Sequence, residues 1–365
     1  MQNDIVLLFE DTPGDRDLFE TELRRAFRGK PVEVLAFKGS TAAPPAVPYE
    51  VRIANDLGSR LNRVALIVCD QDLSGIDSYV GLSETNVSAV ADDRGLPMTL
   101  YARGKKPAGK ELLKRLKTRK PWTERKVVLD LDGRDFAGLA DDSVVFYDGF
   151  RAIHDALNKK KLSGRQSLAA TMAEILGEPE IVNQLALYSS GDQQYLQNIM
   201  PAATRKPAIR QASTAMGYWL WESILRFPGI LVNEVAAASL LNIDAGVFVS
   251  DKEISDLFKT AKYHGPFSEA RSFWWRQKLQ RILDEAKVED GLGLVKQKFP
   301  KKNRTRGCFC SVDHKKPAGF YCMVTEKPVS EGNSRGKIAW LPAGADLARV
   351  ENTTFDQKAS WLGLF

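Results

Sequence analysis

The chain has 365 residues, 44% of them hydrophobic and 27% charged, with a formal net charge of +6 at pH 7. That length admits two or three domains, and the composition is that of a globular chain rather than a disordered or fibrous one. No apolar run reaches the roughly eighteen residues a membrane-spanning helix needs, so no membrane span and no membrane partner are expected; four cysteines are too few for a disulfide framework, and a reducing cytoplasm is the expected location. The polar start Met1-Gln2-Asn3-Asp4 lacks the basic-then-apolar pattern of a secretory signal. Charge is unevenly spread. Residues 1–100 hold 10 Lys and Arg against 16 Asp and Glu, whereas the rest holds 42 against 30. An acidic head on a basic body implies separate tasks.

Ile5 to Phe9 is an apolar run closed by Glu10-Asp11, the pattern of a strand buried on both faces of a parallel sheet. Thr12-Pro13-Gly14-Asp15 is a turn, and Leu18, Phe19, Leu23 and Phe27 put an apolar stripe on a helix expected from Asp15 to Phe27. Val32 to Phe37 reads as a second strand, and Pro44, Pro45 and Pro48 make the stretch after Gly39 a loop. A helix is expected over 51–61, a third strand over 64–69 ending at Asp70, a helix over 79–92 and a fourth strand over 98–102. A very basic helix over 105–120, a fifth strand over 126–131 and a helix over 144–157 complete an alternating β/α order. That order predicts a doubly wound parallel sheet covered by helices on both faces. The lysine-rich stretch 158–165 reads as a linker. The expected organisation is an α/β domain over 1–157, a mainly helical domain over 166–290 and a small α+β segment over 291–365.

Glu10, Asp11 and Asp70 all fall at the carboxyl ends of predicted strands, where doubly wound sheets bind their ligands. Converging carboxylates repel one another, and a hard cation such as Mg²⁺, taking oxygen ligands, relieves that repulsion and can bridge a phosphoryl group. The segments Ile5-Val6-Leu7-Leu8-Phe9-Glu10-Asp11-Thr12-Pro13-Gly14-Asp15 and Asp70-Gln71-Asp72-Leu73-Ser74-Gly75 together resemble the two motifs of bacterial two-component response-regulator receiver domains. The resemblance covers about residues 4–157. It implies a flavodoxin-like five-stranded fold, Asp70 as phospho-acceptor from a histidine kinase, and Mg²⁺ held by Asp11 and Asp70, by Glu10 through water, and by the Asp72 backbone carbonyl. It also implies a phosphorelay that signals to the C-terminal region or to an effector protein. Some receiver-bearing proteins with uncharacterised C-terminal regions serve phage defence. The sequence departs from the receiver pattern twice. Tyr101, with Thr99 two residues earlier, stands where receivers carry Ser or Thr, and the fifth strand has no terminal Lys, leaving Lys105 or Lys106 to contact the phosphoryl group. The alternatives are a pseudo-receiver scaffold that accepts no phosphate, or an effector or nucleic-acid-binding protein with its activity in 166–365.

Cys308, Cys310, His314 and Cys322 offer soft ligands for Zn²⁺, although the Cys-x-Cys spacing is not the usual one, and buried structural cysteines are the alternative. No phosphate-binding Gly-rich loop, dinucleotide fingerprint, nucleophile elbow or His-Glu-x-x-His motif is present, so no enzyme motif stands outside the receiver-like region. Trp275, Leu279 and Ile282 are spaced as one face of a helix. Two basic clusters, one from Lys105 to Lys120 and one at Lys296, Lys298, Lys301, Lys302, Arg304 and Arg306, are candidate nucleic-acid contacts or solvated surfaces.

Overall fold

The computed structural model describes residues 3–39, 47–76, 79–102, 109–118, 126–130, 135–159, 167–188, 206–300 and 305–359. Five short strands form one all-parallel sheet: β1 (Asp4–Phe9), β2 (Val32–Ala36), β3 (Val64–Asp70), β4 (Met98–Ala102) and β5 (Val127–Asp130). Their order is β2-β1-β3-β4-β5. The chain leaves β1 toward one edge and crosses back to β3, so the switch point of the winding lies between β1 and β3. The sheet is flanked by α1 (Pro13–Ala26), α2 (Tyr49–Leu57), α3 (Glu84–Arg94) and α5 (Phe136–Lys159), with α4 (Lys110–Thr118) between β4 and β5 in sequence.

The apolar strands are buried on both faces, as their continuous hydrophobic runs require. On one face Ile5, Leu7, Ile67, Met98 and Leu100 meet Ile53 and Leu57 of α2 and Val87 and Val90 of α3 in one continuous cluster. On the other, Phe19 of α1 lies edge-on to Tyr101 of β4 and stacks on Phe136 of α5, and Phe27 meets Tyr147. Two helix starts differ from the sequence expectation. The helix expected from Tyr79 begins at Glu84, because Gly81 takes φ +86° and Ser83 with Asn86 forms a capping box. The last helix of the sheet domain begins at Phe136 rather than Val144 and runs for 24 residues.

Close contacts divide the chain into two compact units. The first joins Met1–Lys106, Lys120–Thr171 and Asp192–Trp219; the second joins Pro107–Arg119, Met172–Gly191 and Leu220–Phe365. The first unit thus takes in the helix Lys206–Trp219, which lies against α5 and α3. Gly217 admits the Phe150 ring, since a Cβ there would sit 2.4 Å from it. The second unit is mostly short helices, with a two-stranded pair β6 (Leu231–Asn233) and β7 (Phe273–Trp275) and a four-stranded sheet near its end. Trp275, expected on a helix face, lies with Trp274 in β7, where they pair with Leu231 and Val232 respectively; the helix starts one residue later, at Arg276. Both tryptophans are buried. No helix among the described residues is long and apolar enough to cross a membrane.

Candidate metal and phosphoryl site

β1 and β3 are neighbours, and both end in acid. Glu10 and Asp11 follow β1, and Asp70 is the last residue of β3. One carboxylate oxygen from each of Glu10, Asp11 and Asp70 lies within 4.8 Å of the other two. Among the described residues this is the one cluster of three His, Cys, Asp or Glu so arranged. Glu10 and Asp70 are buried and Asp11 is partly exposed, so the group opens outward at Asp11. Oxygens around a magnesium ion at about 2.1 Å stand roughly 3 to 4 Å apart. An all-oxygen set of this span suits a hard divalent cation.

Loop amides and one tyrosine hydroxyl hold the acids in place. The Thr12 amide donates to Glu10 Oε1 at 2.9 Å, and the Tyr101 hydroxyl donates to Glu10 Oε2 at 2.7 Å. The Gly75 amide donates to Asp11 Oδ2 at 2.8 Å. A Cβ at position 75 would stand 2.9 Å from that oxygen, so a larger residue would displace the Asp11 carboxylate. The Asp72 amide points at Asp70 Oδ1 at 3.4 Å, and the exposed Asp72 carboxylate accepts from the Ser74 amide, which lowers its pKa. These bonds make the β3–α3 loop fold back over the end of β1. They also preorganise the carboxylates before any cation arrives.

The remaining predicted residues fall in different places. Tyr101 lies opposite Asp70 in the β3–β4 register, but its hydroxyl is committed to Glu10. Burial, then the Glu10 charge, raises its pKa far above the usual range, so it stays a neutral donor. Thr99 is fully buried two residues back along β4, and its hydroxyl donates to the Ile67 carbonyl at 3.3 Å. Lys105 and Lys106 lie outside the described residues. β5 carries no lysine from Val127 to Asp130. The role sequence reasoning missed was Tyr101 as the partner of Glu10; only the β1–β3–β4 neighbour relation brings them together.

The proposed zinc set does not assemble. Cys308, Cys310 and Cys322 are buried free thiols and His314 is exposed. Their sulfurs find separate local partners instead. Cys322 Sγ accepts from the Thr325 and Glu351 amides, and Cys310 Sγ from Asn333. Burial pushes the Cys308 thiol up to about 11. For Cys310, burial acts upward, but hydrogen bonds led by Ser330 outweigh it and lower the pKa. Of the basic clusters, Lys301, Lys302 and Arg304 and the ends of the 105–120 stretch lie outside the described residues; the helix that is seen there is Lys110–Thr118.

No protein-family model and no curated protein matches this chain.

Proposed function

We propose that the first unit is a phospho-accepting receiver: a histidine kinase donates a phosphoryl group to Asp70, and the change is passed on to the C-terminal region or to an effector. The observation that carries this reading is the Glu10, Asp11 and Asp70 cluster at the β1 and β3 ends of a 2-1-3-4-5 parallel sheet. Mg²⁺ held by Asp11 and Asp70, with the Asp72 carbonyl, would neutralise charge on the transferring group. Asp70 supplies the nucleophile: one carboxylate oxygen bonds to phosphorus as the bond to the donor histidine nitrogen breaks, leaving an acyl phosphate. Glu10 is held still by Thr12 and Tyr101, and Asp11 by Gly75. A cluster fixed in this way loses little entropy on binding the ion.

A second reading, a scaffold that binds the cation but takes no phosphate, draws support from two observations. β5 has no lysine, and the Tyr101 hydroxyl is tied to Glu10. The deciding experiment is incubation of the full chain with acetyl phosphate, with and without Mg²⁺. Hydroxylamine-sensitive phosphate that needs Mg²⁺ supports the receiver; none under any condition leaves the scaffold. A role in phage defence rests on the family analogy alone.

A further inference from the structure

The N-terminal end of the same sheet has the opposite chemistry. A pocket of about 830 Å³ opens there, within the first unit, between the starts of β1, β3 and β4, the helix α5 and the helix Lys206–Trp219. Hydrogen bonds fix the helix across this edge. The Met98 amide donates to the Tyr218 hydroxyl at 2.7 Å, Thr214 donates to the Gly95 carbonyl at 2.8 Å, and Gln211 and Arg210 donate to the Asp93 and Asn62 carbonyls, each at 3.3 Å.

Four arginines line the pocket: Arg63, Arg94, Arg151 and Arg210. Three have carboxylate partners. Arg63 meets Glu33 at 2.6 Å, Arg94 meets Asp93 at 3.1 Å, and Arg151 meets Asp4 and, at 3.2 Å, Asp155. Arg210 forms no ion pair among the described residues; its one bond to Asn62 uses one of five N–H donors. Burial lowers its pKa to about 10, and the more distant Asp4 only partly opposes this. Arg210 is half-buried, lines the pocket and has donors to spare, so its guanidinium offers an incoming anion charge-assisted hydrogen bonds. Phe150 and Tyr147 supply aromatic wall, and Leu61, Ala65 and Pro97 apolar floor. The volume lies in the range of pockets that enclose a small organic molecule and far exceeds what one bare anion fills.

We propose that this pocket binds a phosphorylated small molecule of about nucleotide size, with Arg210 gripping the phosphate and the Phe150 side of the pocket covering the organic part. Nothing in this depends on phosphorylation of Asp70.

The test is calorimetric titration of the full chain with AMP, with ADP and with inorganic phosphate, all without divalent cation so that the acidic site stays out of play. The expected result is saturable binding of AMP or ADP, tighter than phosphate. Arg210→Gln should weaken it about tenfold or more, the loss that follows from removing a charged hydrogen-bond donor. The same variant loses one exposed bond, to Asn62, so its melting temperature without ligand should fall only slightly while binding falls far more. An arginine that only held the helix would lower the melting temperature and leave the affinity of the folded protein unchanged. Ala65→Leu, which fills the floor and removes no charge, should weaken binding too, and it serves if Arg210→Gln does not fold. Asp70→Asn should leave binding unchanged. The proposal is overturned if neither nucleotide binds at millimolar concentration, if phosphate binds as tightly as they do, or if both pocket variants bind like wild type.

Discussion

At the carboxyl end of the five-stranded sheet the polar groups are Glu10, Asp11 and Asp70, set directly on strand ends and fixed by amides of the following loops. At the amino end four arginines, Arg63, Arg94, Arg151 and Arg210, reach in from four separate segments on long side chains, beside the carboxylates of Asp4 and Asp93. The contrast has a geometric origin. In a doubly wound parallel sheet every strand points the same way, so loops that leave the strands fan apart at the switch point and open a crevice at one end. Short acids suffice there, because the backbone itself brings them together. The other end is closed by whatever packs across it, here the helix Lys206–Trp219. A pocket at that end needs long side chains from several elements. One end therefore gathers oxygen ligands within reach of a small cation, and the other leaves a larger pocket rimmed by arginines.

The largest effect that could break this assignment is at Asp70. Asp70→Asn should take Mg²⁺-dependent labelling by acetyl phosphate to background, because an amide is a far poorer nucleophile and metal ligand. Labelling of that variant at the wild-type level would remove Asp70 as the acceptor.

Next comes the Tyr101 hydroxyl. Tyr101→Phe leaves the buried Glu10 without that donor, at an expected cost of about 1–3 kcal/mol in urea unfolding of the protein. If Tyr101 instead served the phosphoryl group, the variant would label more slowly with its stability intact.

Asp11→Asn should act in the other direction. The amide oxygen can still accept from Gly75, while one of three crowded negative charges is gone. Without metal the variant should be more stable, by roughly 0.5–1 kcal/mol, and it should gain less from added Mg²⁺ than wild type does. A variant less stable than wild type that keeps the full Mg²⁺ response would show that Asp11 is not part of the cation site.

The smallest effects lie in the second unit. The Cys308 thiol, pushed up to about 11 by burial, should resist a thiol-modifying disulfide reagent at pH 8 in the native protein and react only on unfolding. Rapid modification of Cys308 in the folded chain would contradict its burial. Asp244 caps a short helix and meets Arg306 at 3.0 Å. Burial acts to raise its pKa, but the Arg306 bond and the Val247 and Gly246 amides outweigh this, so the folded value lies below the unfolded one. Its contribution to stability is present above the unfolded pKa, near 3.9 for an aspartate, and is lost as pH falls through the folded value. Asp244→Asn should flatten that acid limb slightly; an unchanged limb would assign it to other carboxylates.

What the sequence alone determined about this protein is local. Continuous apolar runs bounded by acids or turn formers marked β1 and β3, shorter or interrupted apolar stretches marked β2, β4 and β5, and Glu10-Asp11 and Asp70 were visible as a site because they directly follow the two continuous runs. Period and punctuation carry that kind of information within a dozen residues. Only the tertiary structure decided the rest. Tyr101 became the partner of Glu10, because β1, β3 and β4 lie side by side. The cysteines and His314, close in sequence, were drawn to separate partners and do not form a ligand set. Trp275, spaced with Leu279 and Ile282 for a helix, joined Trp274 in a strand once Leu231 and Val232 offered a ladder, since cross-strand pairing overrides a short periodic signal. The arginine pocket gathers residues as far apart as Arg63 and Arg210. No local pattern joins them, because their meeting depends on where a helix more than a hundred residues away comes to rest.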